Sequence, residues 1–220
     1  MKVFKYSNIG NREQNQDYLV STNLGQDSSL HLVADGMGGY DYGEIAAKIV
    51  GDSYFSGLCH NMSIEEATRE ASNNIQKERL NLGVSKIGST VAGVLICETK
   101  ATIFWAGDSR VYVYRNKEKL FQTEDHSILN ELSRNRKLSF EERKRYGHII
   151  TRSIMGNADD KVDTVEMTLQ KEDELLICSD GLYNDCPIEY ILDSIRKDRF
   201  DIYKQNDCFS DNHSLIYISL

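Results

Sequence analysis

The sequence has little of what marks several large classes of protein. Its 220 residues include one proline, Pro187, and one tryptophan, Trp105. No apolar run approaches the ~20 residues that a membrane-spanning helix needs, and the N-terminal residues show no apolar signal segment. No glycine/serine linker, repeat or low-complexity tract divides the chain. We therefore predict one continuous domain over residues 1–220, with no membrane partner.

Cysteine is also sparse and shows no pairing pattern. Five cysteines occur, an odd number, and no two of them form a Cys-x-x-Cys pair. Cys97 and Cys178 lie in apolar, strand-like runs, where a reduced and buried thiol is the ordinary state. The pattern excludes a disulfide framework and predicts a reducing, cytoplasmic location.

Basic residues are outnumbered by acidic ones. The chain has 26 lysines and arginines against 34 aspartates and glutamates, a formal net charge of −8. Such a field repels nucleic acids and anionic membrane surfaces. The densest basic run, residues 134–145, is interrupted by Glu141 and Glu142. A nucleic-acid partner is therefore not expected.

Two long helices are predicted in the first half of the chain. Residues 42–59 carry apolar side chains at helical spacing. Ser63-Ile-Glu-Glu66 has the form of a capping box, which predicts a second helix running to about Leu82 and ending at Gly83. Shorter helices are predicted over residues 127–134 and from about Pro187 onward.

Strands dominate the rest of the chain. Four apolar runs between residues 89 and 122 are separated by short polar turns, which predicts an antiparallel meander. Val162–Leu169 and Leu175–Ser179 are interpreted as a further hairpin, and His213–Leu220 as a last strand. Helices placed between blocks of antiparallel strands indicate an α+β fold, with helices packed on the sheet faces.

Five aspartates stand at strand ends or in the turns beside them: Asp17, Asp35, Asp108, Asp180 and Asp211. Any one of them alone is ordinary turn or cap chemistry. As a set they are different, because strand ends on a rigid scaffold can aim several carboxylates at one point. Clustered carboxylates repel one another unless a cation lies among them. Oxygen ligands without histidine or thiolate favour Mg²⁺ or Mn²⁺ over Zn²⁺.

These aspartates fall within motifs that occur in a recognisable order. Taken together, the motifs resemble the bacterial branch of the protein phosphatase 2C family, the metal-dependent serine/threonine protein phosphatases. They span residues 12–214, nearly the whole chain, and Asp-Gly-Met-Gly-Gly is the most specific of them. The matching segments are Arg12-Glu-Gln-Asn15-Gln-Asp17, Val33-Ala-Asp35-Gly36-Met-Gly38-Gly39, Gly43-Glu44, Gly88-Ser-Thr90, Ala106-Gly-Asp108-Ser-Arg110, Thr123-Glu-Asp125-His126-Ser127, Thr151-Arg152, Cys178-Ser-Asp180-Gly181 and Asp211-Asn212-His-Ser214.

The resemblance implies a four-layer αββα sandwich of two antiparallel sheets flanked by helices, and two or three Mn²⁺ or Mg²⁺ ions. By the same resemblance, Asp35 would bridge two of the ions and the Gly36 carbonyl would bind the second. Asp180 and Asp211 would hold the first ion. Asp108 would share a third, weaker site with Asp180.

Two further residues are expected to take part in the reaction. The resemblance implies that Asp17 orients metal-associated water and that Arg12 binds the substrate phosphate, although a solvated surface arginine is the alternative for Arg12. Two cations can generate a nucleophilic water near neutral pH, and phosphate-ester hydrolysis needs a large acceleration. A general acid for the leaving oxygen is not assigned. His126 is the nearest candidate, with a structural role as its alternative.

The sequence also departs from the family pattern near the site. Gln16 stands where many relatives have an acidic residue, and Ser210 replaces the usual glycine before Asp211-Asn212. The segment between Asp180 and Asp211 is short. These changes remove none of the expected ligands.

The resemblance implies a phosphatase that acts on phosphorylated proteins, with a serine/threonine kinase as its cellular opponent. We expect the protein to be a monomer. The alternative is a phosphatase-like binding or sensor module without turnover, although such a module would need none of Asp35, Asp180, Asp211, Asp17 and Arg12. Two other phosphatase chemistries do not fit. None of the five cysteines precedes a phosphate loop with an arginine at the required spacing, and no Asp-x-Asp follows the first strand.

Overall fold

Two antiparallel sheets organise the chain in a computed structural model, which describes residues 1–25, 27–37, 42–134, 136–147, 149–200 and 209–220. Strands are numbered in chain order. The first sheet has the strand order β1 (Lys2–Asn8), β10 (His213–Ser219), β9 (Glu174–Cys178), β6 (Arg110–Arg115) and β7 (Glu118–Gln122). The second has the order β2 (Asp17–Asn23), β3 (Ser28–Asp35), β4 (Val91–Cys97), β5 (Lys100–Ala106) and β8 (Asp163–Thr168). All described pairings are antiparallel.

Helices lie outside the two sheets. In the described ranges they are α1 (Gly43–Cys59), α2 (Ile64–Leu82), α3 (Ile128–Ser133), α4 (Phe140–Tyr146), α5 (Asp180–Asp185) and α6 (Ile188–Arg196). None of them is both long enough and apolar enough to cross a bilayer.

Three apolar layers hold this arrangement together, and β3 shows how one strand serves two of them. Leu30 and Leu32 pack with residues of α1 and α2, whereas Val33 packs into the layer between the two sheets. Successive side chains of a strand point to opposite faces, so one buried strand contributes to both layers. A third layer joins the first sheet to Ile191 and Leu192 of α6. The predicted αββα sandwich is confirmed.

The helix α2 follows its sequence signals closely. Ser63 Oγ accepts the backbone N–H of Glu66, and the Glu66 carboxylate accepts the N–H of Ser63, which completes the capping box. Gly83 ends the helix with a left-handed φ of 67°, a conformation that glycine adopts without steric cost. The Tyr54 ring of α1 stacks on Phe104 of β5 with centroids 4.9 Å apart, which fixes this helical layer to the sheet.

The predicted meander is confirmed for the pairs β4 with β5 and β6 with β7 but is wrong between β5 and β6, and the predicted hairpin is wrong. β5 and β6 follow one another in sequence but belong to different sheets, because the chain crosses between sheets at Gly107 and Asp108. β8 and β9 also lie in different sheets, where β8 pairs with β5 and β9 pairs with β10 and β6. The alternation of a strand indicates which of its faces is buried and does not indicate its partner. Since the two sheets share one core, each strand pattern fits either sheet.

Two elements were not predicted. β1 is mostly exposed and polar, and it pairs with β10 from the other end of the chain. The six-residue α5 begins directly at Asp180. Between Asp180 and Asp211, α5 and α6 account for most of the described residues. Residues 201–208 lie outside the described residues, and so do Gly38 and Gly39 of the Asp-Gly-Met-Gly-Gly motif.

Candidate metal centre

Asp17 and Asp35 lie opposite one another on neighbouring strands. They are paired in the register of β2 and β3, at the end of the second sheet where β3 finishes. The backbone of Asp35 is held by the Gly-Ser-Thr motif. Its carbonyl accepts the Thr90 N–H at 2.8 Å and the Ser89 hydroxyl at 3.0 Å, and its N–H donates to Thr90 Oγ1. The position of this carboxyl group is therefore set by backbone contacts on both sides.

The residue after Asp35 must be a glycine for steric reasons. A Cβ on Gly36 would overlap the backbone carbonyl of Gly43, the first residue of α1. The Gly36 N–H donates to the Gln16 carbonyl at 3.0 Å. The close approach brings the start of α1 against the end of β3, beside Asp17 and Asp35.

Asp180 and Asp211 approach the same region from α5 and from the loop before β10. A Cβ on Gly181 would overlap the Asn212 carbonyl and would lie 3.0 Å from the Asp211 Cβ, so the first turn of α5 packs directly on this loop. The Asn212 side chain holds the loop by accepting the Gln16 N–H and by donating to two carbonyls of residues 9–14. Gln16 thus serves the site through its backbone.

The electrostatics show that the carboxyl groups share one cleft. Burial raises the pKa of Asp35 well above its usual range, and all four of the other aspartates raise it further by charge repulsion. Burial also raises the pKa of Asp17 to about 7, partly offset by hydrogen bonds from Ser214 and Ser179, with Asp180 and Asp211 adding to the rise. The groups would not affect one another in this way if they lay on separate faces.

Asp108 and Asp180 belong to the same cluster. The pKa of Asp108 is raised to about 7 by burial, then by repulsion from Asp180 and Asp125. The pKa of Asp180 is raised by burial and by Asp211, while a hydrogen bond with the Asp35 carboxyl opposes the rise. The structure therefore brings together Asp17, Asp35, Asp108, Asp180 and Asp211.

The cluster fits a hard divalent cation. Among the described residues, no three acidic, histidine or cysteine side chains converge on a single point. The cluster does carry an unsatisfied acceptor. Asp17 Oδ2 accepts the Ser179 hydroxyl at 2.8 Å, but Asp17 Oδ1 is buried with no hydrogen-bond partner. An unpaired oxygen, mutual repulsion and an all-oxygen donor set are together what a Mg²⁺ or Mn²⁺ ion would relieve.

Arg12 reaches the edge of this cleft. Its Nη2 lies 2.5 Å from Asp211 Oδ2, and its side chain is 48% exposed. Because Asp211 is expected to bind metal, this contact places the two parallel N–H donors of the Arg12 guanidinium next to the expected metal position. Its place in the cleft argues against the alternative of an unrelated surface arginine.

His126 has a structural role in this arrangement. Its Nδ1 accepts the Gly107 N–H at 3.2 Å, its Nε2 lies 3.0 Å from Asp163 Oδ2, and its ring stacks on Trp105. Burial lowers its pKa, although the hydrogen bond with Asp163 opposes that shift. With both ring nitrogens engaged, His126 supports the Gly107 turn and is not presented to a leaving group.

The comparison with known families then decides the assignment. The family model described as protein phosphatase 2C matches residues 6–215. The chain belongs to the protein phosphatase 2C family.

Relatives and solved structures of this family agree in sequence and fold. The serine/threonine phosphatase stp of Listeria monocytogenes is 29% identical over 191 residues, covering 81% of this chain and 75% of that protein. The structure of the Streptococcus agalactiae serine/threonine phosphatase superposes with a TM-score of 0.81 at 26% identity, covering 100% of this chain and 99% of the other. The catalytic domain of the phosphatase PstP, 23% identical with a TM-score of 0.80, covers 98% and 96% and was solved with two manganese ions.

Tyr183 also lies at the site of this phosphatase 2C chain, and the sequence did not predict it. The Tyr183 hydroxyl of α5 donates to the backbone carbonyl of Asp108 at 2.8 Å. Its ring packs on the Arg110 guanidinium, 3.5 Å from the ring centroid, and Arg110 forms a bidentate ion pair with Asp125. Tyr183 therefore ties the turn that carries Asp108 to the helix that starts at Asp180. No motif marked it, because its partner is a main-chain atom 75 residues away.

Tyr183→Phe should weaken metal binding without disturbing the ring packing. The change removes the hydroxyl that fixes the Asp108 turn and keeps the aromatic face on Arg110. Loss of a residue that orients ligands typically costs 10–100-fold in metal affinity, and we expect a rise of about tenfold in the Mn²⁺ dissociation constant. Calorimetric Mn²⁺ titration measures it. Tyr190→Phe, on the exposed side of α6, is the matched control; a lower melting temperature with unchanged Mn²⁺ affinity would contradict the positioning role.

Proposed function

We propose that this protein phosphatase 2C chain hydrolyses phosphoserine and phosphothreonine esters on proteins at the cleft formed by its five aspartates. Membership of the family makes it a serine/threonine protein phosphatase. The observation that supports the location of the site is geometric: Asp17 lies opposite Asp35 in the strand register, and the Asn212 side chain ties the loop of Asp211 to the neighbouring Gln16. Phosphoproteins are the substrates that the family implies, and a serine/threonine kinase would be the opposing enzyme.

The proposed metal ligands are those that the family resemblance implies. Asp35, anchored at the end of β3, would contact two divalent cations, with the Gly36 carbonyl at the second. Asp180 and Asp211, packed against one another through Gly181, would hold the first. Asp108 would complete a third site with Asp180. Mn²⁺ and Mg²⁺ both suit these oxygen ligands.

When bound, the cations supply a nucleophilic water at neutral pH and neutralise charge on the phosphoryl oxygens. The chain's own residues do the positioning. Asp17, held at Oδ2 by Ser179, would orient the attacking water through its unpaired Oδ1. Arg12 would offer two parallel N–H donors to the phosphate when the Asp211 carboxylate binds a cation instead of the Arg12 guanidinium. Because water attacks phosphorus directly, no residue needs to become phosphorylated.

Removal of divalent cations by a chelator distinguishes a metal-dependent phosphatase from a sensor module that binds its partner without turnover. The wild-type protein should hydrolyse a phosphothreonine peptide and a chromogenic aryl phosphate in Mn²⁺, lose both activities in EDTA, and recover them when Mn²⁺ is restored. A phosphotyrosine peptide of matched sequence should be turned over far more slowly. Turnover that persists in EDTA would refute the metal mechanism, whereas Mn²⁺ binding without turnover would favour the module.

A further inference from the structure

The last residue of α5, Asp185, binds the loop that carries Asp211. Its Oδ2 accepts the Ser210 N–H at 2.6 Å and the Ser210 hydroxyl at 2.8 Å. One carboxylate oxygen therefore binds both a main-chain and a side-chain donor of the residue directly before Asp211. Hydrogen bonds to an ionised acceptor are stronger than those between neutral groups, so this contact restrains the Ser210 backbone.

The first turn of α5 contacts the same loop on the other side of Asp211. A Cβ on Gly181 would lie 2.1 Å from the Asn212 carbonyl oxygen, a separation that only glycine permits. The six residues of α5 span about 9 Å, so the loop lies along the helix and contacts both ends of it. Asp211 stands between the two contacts, because Ser210 precedes it and Asn212 follows it.

Asp180, the other proposed ligand of the first cation, is the first residue of the same helix. Its carboxylate accepts an N–H of the Asn184 side chain at 3.1 Å, a contact across one helical turn. The pKa of Asp180 is raised by burial and then by repulsion from Asp211, so the two carboxyl groups lie close enough to repel one another. Other contacts must therefore hold the two groups together, and α5 provides such contacts to both.

Ser210 is also the residue that departs from the family pattern, in which a glycine precedes Asp-Asn. A glycine at position 210 would keep the N–H donor, lose the hydroxyl donor and give the backbone more conformational freedom. Serine therefore supplies Asp185 with a second donor and restricts the loop beside a proposed metal ligand. Asp185 and Ser210 are both exposed, so packing in the core does not account for their contact.

We propose that Asp185 and Ser210 are positioning residues that fix Asp211 relative to Asp180 for binding of the first cation. The proposal rests on the proposed function, because it takes these two aspartates as ligands of one ion. Asp185 and Ser210 act through the backbone of Asp211 and bind neither the cation nor the phosphate. They raise the affinity for the cation because a loop that is already held in place loses less freedom when the cation binds.

Calorimetric titration of the whole protein with Mn²⁺ tests the role of Asp185. Asp185→Ala should raise the Mn²⁺ dissociation constant about tenfold, the lower end of the effect of losing a residue that orients a metal ligand. Half-maximal activation of phosphopeptide hydrolysis should need correspondingly more Mn²⁺. Asp185→Asn is the matched control, because it removes the same charge and keeps an oxygen that can accept both donors. Its Mn²⁺ affinity should stay close to that of the wild-type protein.

Ser210→Ala tests the other partner and covers the case in which Asp185→Ala does not fold. It removes one hydrogen bond at an exposed position and should raise the Mn²⁺ dissociation constant about threefold. Added to Asp185→Ala it should cause no further loss, because the two residues act as a pair.

Three results would contradict these expectations, and they can be told apart. Wild-type Mn²⁺ affinity in Ser210→Ala and in Asp185→Ala, even with a lower melting temperature, would overturn the positioning role. A loss in Asp185→Asn as large as in Asp185→Ala would also overturn it, because the effect would then come from charge. A wild-type protein that binds no Mn²⁺ would overturn the proposed function itself.

Discussion

Asparagine in place of Asp35 should lower kcat/KM on the order of 10³-fold and at the same time stabilise the metal-free protein. Activity falls because the proposed contact with two cations is lost. Stability rises because burial and four neighbouring carboxyl groups all disfavour ionised Asp35, and a neutral amide removes that repulsion. We expect a gain of about 1–2 kcal/mol, which for a chain of this size raises the melting temperature by roughly 3–6 °C.

The free energy of unfolding of the metal-free protein should also depend on pH, in a direction that can be measured. A carboxyl group whose pKa is raised in the folded protein holds its proton where the unfolded chain has lost it, so stability falls as pH rises. For Asp17 and Asp108 the window extends from about 4 to about 7. In EDTA, the wild-type protein should therefore be more stable at pH 5 than at pH 7.5, and Asp35→Asn should flatten the profile.

Thermal unfolding with and without Mn²⁺ measures both effects. Mn²⁺ should raise the melting temperature of the wild-type protein, since a ligand that binds only the folded state stabilises it, and should raise that of Asp35→Asn much less. Asp193→Asn, an exposed aspartate paired with Lys197, is the matched control and should change neither activity nor the Mn²⁺ response. A metal-free Asp35→Asn protein less stable than wild type would contradict the repulsion inferred for the cluster.

Arg12→Met should lower kcat/KM for phosphopeptides by about 10–100-fold. Hydrogen bonds to charged groups contribute about 1.5–3 kcal/mol, and methionine keeps the length of the side chain while removing the donors. Inhibition by inorganic phosphate should weaken in parallel. Arg12→Lys should recover part of the loss, because it restores the charge and not the planar fork.

Mn²⁺ affinity distinguishes substrate binding from a structural role for Arg12. The Arg12 guanidinium pairs with Asp211, so its removal frees a proposed metal ligand. Calorimetry should show Mn²⁺ binding to Arg12→Met at least as tight as to wild type, and Arg69→Met on the exposed face of α2 should behave as wild type throughout. Weaker Mn²⁺ binding with unchanged phosphate inhibition would argue against the phosphate contact.

Local signals in the sequence predicted local structure well. The capping box at Ser63 and the left-handed glycine at Gly83 determine the ends of α2 through contacts a few residues apart. The same signals did not predict which strands pair. The interpretation of β8 and β9 as a hairpin failed because alternation is the same for a strand in either of two sheets that face one core.

The residues of the site also differ in whether the sequence predicts them. The aspartates could be anticipated because each stands at the end of an apolar run, and the fold brings these ends together. Tyr183 could not be anticipated, because its hydroxyl contacts the main chain of a distant turn and its ring packs on Arg110. Such a contact depends on tertiary geometry and leaves no periodic trace in the residues around it.

The pairing of β1 with β10 joins the first strand of the structure to the last. Asn212 binds the carbonyls of residues 9 and 14, and Asp211 pairs with Arg12, so the last loop of the chain closes on the first. A ribosome-bound chain that has not yet reached Asp211 lacks one of the proposed metal ligands, and β1 still lacks its neighbour. Completion of the proposed metal centre therefore depends on contacts between residues 198 to 203 positions apart in the sequence, and contacts of such large separation form slowly in folding.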